Sequence, residues 1–237
     1  MKPYIHARLA ARRYGGHWKD TFAVHHFFDQ TKGVFADMRH RAMLHNDLGI
    51  EIVLQVFGPS LALTGGGTVS TLQISRDHQV EDVGRTVPLA EWLEGAKIHP
   101  LLRECRPLPA YQRFRDDPLA ACVQRWGGES KAYAPLVAWF ERPEALAPQS
   151  PLAPAMLRNA FGIMLAEQVF GPVIDAGGGR AACTRDVGEA LTLARFGRIP
   201  SLETVLAGLD VRPWFHGQRV PQELVDAGEI AAAEALD

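Results

Sequence analysis

Apolar positions in the first hundred residues recur mostly at helical spacing, and glycines and prolines punctuate them. Pro3 to Arg13 is a charged amphipathic stretch read as a short helix, stopped by Gly15-Gly16, a pair able to supply the left-handed residue that ends a helix. Asp20 is placed to cap a second helix running through Phe28 and on to Lys32. After Gly33, a long segment to Phe57 carries Phe35, Met38, Leu44, Leu48, Ile52, Val53, Val56 and Phe57 on one helical pattern, ended by Gly58-Pro59. Leu61–Leu63, the turn Thr64-Gly65-Gly66-Gly67 and the β-branched run Thr68–Ile74 predict a hairpin. Short helices over Asp77–Val83 and Leu89–Gly95 close the pattern. The expected class is mainly α (α+β).

The pattern is then written again. Ala42-Met43-Leu44-His45-Asn46-Asp47-Leu48-Gly49-Ile50 returns as Ala155-Met156-Leu157-Arg158-Asn159-Ala160-Phe161-Gly162-Ile163, and Gln55-Val56-Phe57-Gly58-Pro59 returns unchanged at Gln168–Pro172. At a constant offset of 113, residues 42–102 share 20 identities in 61 positions with 155–215, where average residue usage gives roughly four by chance. With one inserted residue, Arg13-Tyr14-Gly15-Gly16 meets Arg125-Trp126-Gly127-Gly128. The expected organisation is two tandem copies of a small helical domain, each with one β-hairpin. Residues 1–102 form the first copy, 103–116 a connector, 117–217 the second copy and 218–237 an acidic tail that could form an amphipathic helix.

Composition changes this picture little. With 237 residues, 47% hydrophobic and 22% charged, the chain has the balance of a folded globular protein. A net charge of −2 gives no drive toward nonspecific nucleic-acid binding or an anionic bilayer. No signal-peptide pattern follows Met1, and the longest apolar runs fall short of the ~20 residues that span a membrane. Three widely spaced cysteines, Cys105, Cys122 and Cys183, form neither a disulfide framework nor a metal knuckle, which fits a reducing cytoplasm.

The informative feature is where the copies differ. Eight of the nine histidines lie within residues 1–102, and the second copy has only His216. At the 113 offset, His25, Asp29, Lys32, Asp37, His40, Arg41, His45 and His78 face Ala138, Arg142, Ala145, Ser150, Ala153, Pro154, Arg158 and Leu191. A polar set lost together is expected where one copy keeps a site and the other keeps the frame; unequal drift of two surfaces gives a similar pattern. His25, Asp29 and Lys32 share a helical stripe, and Asp37, His40 and Arg41 lie on adjoining faces of the next helix. Histidine and carboxylate from neighbouring helices form a ligand set for divalent Zn, Fe or Mn. The candidate metal ligands are therefore His6, His25, Asp29, His40 and His78, with Lys32, Asp37 and Arg41 as candidate catalytic groups. On a continuous helix His40 and His45 stand about 140° apart, and His40 is preferred as the ligand. The plain alternative is a set of surface pairs, for there is no HExxH string, Walker loop, GxSxG elbow or cysteine nucleophile motif.

The strings His25-x-Phe27-Phe28-Asp29-x-Thr31-Lys32 and Asp37-x-Arg39-His40-Arg41-Ala42, with His6-Ala7, Arg13-Tyr14-Gly15-Gly16, Gly49-Ile50, Phe57-Gly58-Pro59 and Asp82-Val83-Gly84-Arg85, resemble a small family of uncharacterised bacterial and phage proteins carrying a domain of unknown function. The resemblance covers nearly all of the first copy and, more weakly, a degenerate second. It falls on His6, His25, Asp29, Lys32, Asp37, His40, Arg41 and His78 and implies no established activity. Two functions compete. One is a metal-dependent hydrolase acting on a small anionic substrate, distantly like the helical His-Asp phosphohydrolases but without their adjacent His-Asp doublet. The other is a noncatalytic interaction module with a protein partner: a fused pseudo-dimer, monomeric in solution, with a role in phage-host conflict.

Overall fold

The computed structural model describes residues 1–35, 37–103 and 108–211, and they form a mainly α-helical protein with two small antiparallel hairpins. The chain divides into one unit of Met1–Trp92 together with the segment from Val211, and another of Leu93–Asp210.

In the first unit, helix α1 (Pro3–Tyr14) starts on a proline and stops at Gly15, whose φ of 81° favours glycine. Helix α2 (Lys19–Asp29) runs into a 3-10 turn over Gln30–Gly33. Asp20 does not cap α2. Its carboxylate accepts from His17 N at 2.7 Å, Thr64 N at 2.8 Å and Thr64 Oγ1 at 2.7 Å, tying the start of the helix to the hairpin turn.

The long helix expected to reach Phe57 is broken. A 3-10 turn (Met38–His40) leads into α3 (Arg41–Leu44), and after His45 the chain restarts as α4 (Asp47–Phe57). Asn46 causes the break. Its backbone is extended (φ −151°), its side-chain oxygen accepts from Gly49 N at 3.0 Å, and its amide nitrogen donates to Ala42 O at 2.7 Å. That is a helix N-cap with both ends of the amide used. Gly49 is required here because a Cβ would lie 1.7 Å from the Leu44 carbonyl oxygen.

Strands β1 (Ser60–Ala62) and β2 (Thr68–Ser70) pair with Leu61 opposite Val69. The second strand ends earlier than its β-branched run predicts, because Ser70 caps helix α5 (Thr71–Val83), accepting from Gln73 N. Ile74 then shares one buried face of α5 with His78 and Asp82 instead of alternating along a strand. Helix α6 (Leu89–Trp92) is shorter than expected and buries Leu89 and Trp92. Ile5, Val24, Phe28, Leu44, Leu48, Ile52 and Ile74 complete this core.

The second unit opens with α7 (Pro100–Arg103). Of the expected connector, residues 104–107 lie outside the described residues. The rest is a 3-10 turn (Pro109–Tyr111) and α8 (Gln112–Asp116), whose Phe114 is buried with its ring 5.6 Å from that of Trp126. There follow α9 (Pro118–Trp126), α10 (Ser130–Leu146), α11 (Ala160–Phe170), strands β3 (Val173–Gly177) and β4 (Arg180–Cys183), α12 (Thr184–Phe196) and α13 (Leu202–Leu206). From α9 onward the order of elements follows the first unit, except that a single 3-10 turn (Ala153–Ala155) stands where the first unit has its two 3-10 turns and α3. Asn159 caps α11 as Asn46 caps α4, accepting from Gly162 N at 3.0 Å and donating to Ala155 O at 2.8 Å. His216, Cys105 and the expected acidic tail lie outside the described residues. No helix among the described residues is long and apolar enough to cross a membrane.

Two outcomes follow from this packing. Asn46→Ala and Asn159→Ala each lose a buried cap and should cost about 1–2 kcal/mol in urea unfolding. Cys122 has no exposed surface and burial pushes its thiol up to about 12, so iodoacetamide should modify it only after denaturation, as read by mass spectrometry.

Candidate metal centre

The interior of the first unit contains an unusual number of ionisable side chains. His6 comes from α1, His25 and Asp29 from α2, Arg41 from α3, His45 from the corner before α4, and His78 and Asp82 from α5, and all are buried. Burying charge is costly unless it is paired, and the pairing is dense. Asp82 Oδ1 lies 2.5 Å from the Met1 amino group, 3.3 Å from Arg41 Nη2 and 3.3 Å from His6 Nε2. Its Oδ2 lies 2.9 Å from His45 Nε2 and 3.6 Å from His78 Nε2. Burial would push the Asp82 carboxyl up, but His45 and His6 hold it well below the usual carboxylate range.

The local structure aims these groups. His45 is the last residue before the Asn46 break. Its carbonyl accepts from the Trp92 indole at 2.8 Å, while Gln79 Nε2 donates to the Asn46 carbonyl at 2.8 Å. His78 and Asp82 lie one turn apart on α5, and Phe28 stacks on the His78 ring at 4.8 Å between centroids.

Two sets of potential ligands emerge. Asp29, His45, His78 and Asp82 each offer an atom within 4.8 Å of the others, and so do His6, His25 and His78. In the first set, His45 Nε2 is 2.9 Å from Asp82 Oδ2, 3.0 Å from His78 Nε2 and 3.7 Å from Asp29 Oδ1. A tetrahedral ion with bonds of about 2.0–2.1 Å separates its ligand atoms by about 3.3–3.4 Å, and the observed edges straddle that value.

The protons do not close this network. A neutral imidazole has one N–H and one lone pair. His78 Nδ1 meets His25 Nδ1 at 3.1 Å, and its Nε2 meets His45 Nε2, which also faces the Asp82 anion. If His45 Nε2 donates to Asp82, His78 must carry its proton on Nδ1 and donate to His25 Nδ1, which leaves the His25 Nε2 proton buried without an acceptor. If it accepts from His78, its lone pair faces a carboxylate. Burial pushes His25 and His78 well below the usual imidazole range, and His6's charge pushes both further; burial also lowers His45 against the pull of Asp82. Neutral imidazoles with a carboxylate are metal ligands in the required protonation state. Asp29 Oδ1 and His25 Nε2 are buried without a hydrogen-bond partner.

The candidates read from the sequence divide accordingly. His6, His25, Asp29 and His78 come together. His40 belongs to neither set: its Nδ1 is 2.6 Å from the Asp37 carbonyl oxygen, and its ring centre lies 6.2 Å from that of His45. The preference for His40 over His45 assumed an unbroken helix, and the Asn46 break removes that premise. Asp37 caps the Met38–His40 turn and pairs with Arg39 through both oxygens. Arg41 is bound to the Asp82 backbone and carboxylate. Lys32 is partly exposed and reaches Asp29 Oδ2 at 3.5 Å and the Met1 carbonyl at 3.2 Å. His45 and Asp82 were missed as ligands, although the spacing His78-x-x-x-Asp82 on a helix would have flagged Asp82.

A family model described as a domain of unknown function, DUF6915, matches residues 1–102 and 119–215. The chain belongs to this family. No curated protein and no solved structure matches it. The buried His and Asp groups of this DUF6915 chain could hold a metal ion.

Asp82→Asn keeps the shape and removes the charge that neutralises Arg41 and His6. In metal-free buffer it should destabilise the protein by about 3–5 kcal/mol, read from urea unfolding in the presence of a chelator.

Proposed function

We propose that the first unit is a divalent-metal site, on Asp29, His45, His78 and Asp82, serving hydrolysis of an anionic substrate such as a phosphate ester. The observation that carries the reading is the convergence of two imidazole nitrogens and two carboxylate oxygens at ligand-to-ligand spacing in a buried, incompletely hydrogen-bonded cluster. Mixed nitrogen and oxygen donors suit Zn, Fe or Mn. The ion would supply a water of lowered pKa and a Lewis acid for an oxyanion. Arg41 acts as a positioning residue here, since its bonds to Asp82 hold that carboxylate while leaving Oδ2 to the imidazoles. Lys32 has one face toward Asp29 and another toward solvent, so it is the group we assign to meet the anion. The cluster itself is closed to solvent, so turnover requires local opening near Lys32, Gly33 and Val34, which are exposed or half-exposed.

The second unit repeats the order of elements without these side chains, which supports reading the chain as a tandem duplication with a degenerate copy and an internal pseudo-dimer. We place the protein in the cytoplasm as a monomer, and light scattering at the 26.0 kDa chain mass is the expected result.

Untagged protein should contain metal near stoichiometry after purification, and chelation should lower its melting temperature. Restoring Zn or Mn at about a thousandfold over Kd should return about 4 kcal/mol of stability. Phosphatase activity on a generic aryl phosphate should follow metal content and fall at least a hundredfold in His45→Ala. Less than a tenth of an equivalent of metal, with no stabilisation on reconstitution, removes the reading.

A further inference from the structure

We infer that the first unit holds a second ion beside the first, bound by His6, His25 and the far edge of His78, so that the His78 ring bridges the pair. This rests on the metal-binding reading above but requires more of the structure.

The His78 ring turns both nitrogens toward other ligand-type nitrogens, Nε2 toward His45 at 3.0 Å and Nδ1 toward His25 at 3.1 Å. With a single ion on Nε2, the His78 Nδ1 proton goes to His25 Nδ1, and the His25 Nε2 proton is then buried without an acceptor. His6 has the arrangement of a supported ligand: Nδ1 lies 2.7 Å from the Glu81 carboxylate, which fixes the ring and directs Nε2 inward, where its neighbour is Asp82 Oδ1 at 3.3 Å. A carboxylate behind a histidine is the usual outer support of a metal-bound imidazole. His25 Nε2 is buried without a partner, and the His6 and His25 rings are nearly parallel at 5.5 Å. Three converging imidazoles form a zinc-type set that keeps a coordination position open, whereas the Asp29, His45, His78 and Asp82 set supplies four ligands and admits a water only as a fifth. The open position is where a water or a substrate oxygen would bind, so the second ion deepens the hydrolytic reading toward a two-ion site for phosphate esters.

The proton balance is explicit. Neutral His78 carries one ring proton; when both nitrogens bind ions, the N–H bond breaks, its electron pair forms the second metal bond, and the proton passes to solvent. A charged His6 likewise gives up its Nε2 proton to solvent as that nitrogen binds, and keeps the Nδ1 proton toward Glu81. Nothing is oxidised or reduced.

The test uses the untagged full chain, stripped of metal and reloaded with Zn(II) or Cu(II). Equilibrium dialysis should give two tightly bound Zn(II) per chain. With Cu(II), the paramagnetic resonance signal should grow over the first equivalent and then shrink over the second, as two ions couple through the shared ring. His25→Gln should bind one Zn(II) and show no coupling, with its helical circular dichroism retained. If that variant does not fold, the wild-type Cu(II) titration decides alone. Saturation at one equivalent, or two additive uncoupled Cu(II) signals, overturns the shared-ring pair while leaving the single site standing. Binding of no ion overturns both readings.

Discussion

A carboxylate removed from water must be neutralised by what the fold brings to it, and the first unit is arranged around that requirement at Asp82. Its two oxygens draw in α1 through His6, α3 through Arg41, the α3–α4 corner through His45, and its own helix through His78. The division matters. Arg41 and the Met1 amino group address Oδ1, whereas Oδ2 meets only imidazole among its described partners, and imidazole can yield to a cation as guanidinium cannot. A carboxylate fully enclosed by arginines would make a structural ion pair; with one oxygen left to neutral histidines, it could hold a cation.

The corner at Asn46 converts backbone geometry into that chemistry. Had the helix continued from Met38 to Phe57, His40 and His45 would have faced different directions, as their spacing implies. The Asn46 cap restarts the chain at a new angle, and the Trp92 and Gln79 bonds to the His45 and Asn46 carbonyls hold the corner. The same amide geometry recurs at Asn159, so the corner belongs to the frame and not to the site.

Much of this was legible in the sequence, and the gaps have physical reasons. Helical class, the hairpins and the stop at Gly58 follow from local punctuation, because glycine at positive φ and a Gly-Pro stop act over a few residues. The convergence of His6, His25, Asp29 and His78 could be suspected from shared stripes and from their joint loss at the 113 offset. The choice between His40 and His45 depended on whether Asn46 caps a new helix or rides inside an old one, and asparagine does both in short contexts. Asp82 and His78 already lie one turn apart on the expected Asp77–Val83 helix, so their spacing is legible; that Asp82 is buried against α1 and α3 is a tertiary fact that no local pattern carries.

The second unit shows what the frame does without the chemistry. At the 113 offset, His45, His78 and Asp82 correspond to Arg158, Leu191 and Arg195. Arg158, nearly buried, is satisfied by Glu144 at 2.7 Å, and Arg195 lies 3.7 Å from the same carboxylate. One acid thus serves two guanidiniums where the first unit gathers imidazoles about an aspartate. Leucine for histidine at the centre removes the ring that faces both neighbours, and Arg158 and Arg195 bring fixed positive charge to that place. That charge disfavours a cation beside Arg158 and Arg195. The frame therefore tolerates replacement of the whole polar cluster, although removing one partner from it leaves buried charge unpaired and is costly. In the first unit the buried imidazoles remain despite the desolvation they cost, and metal binding is a physical return that would balance that cost.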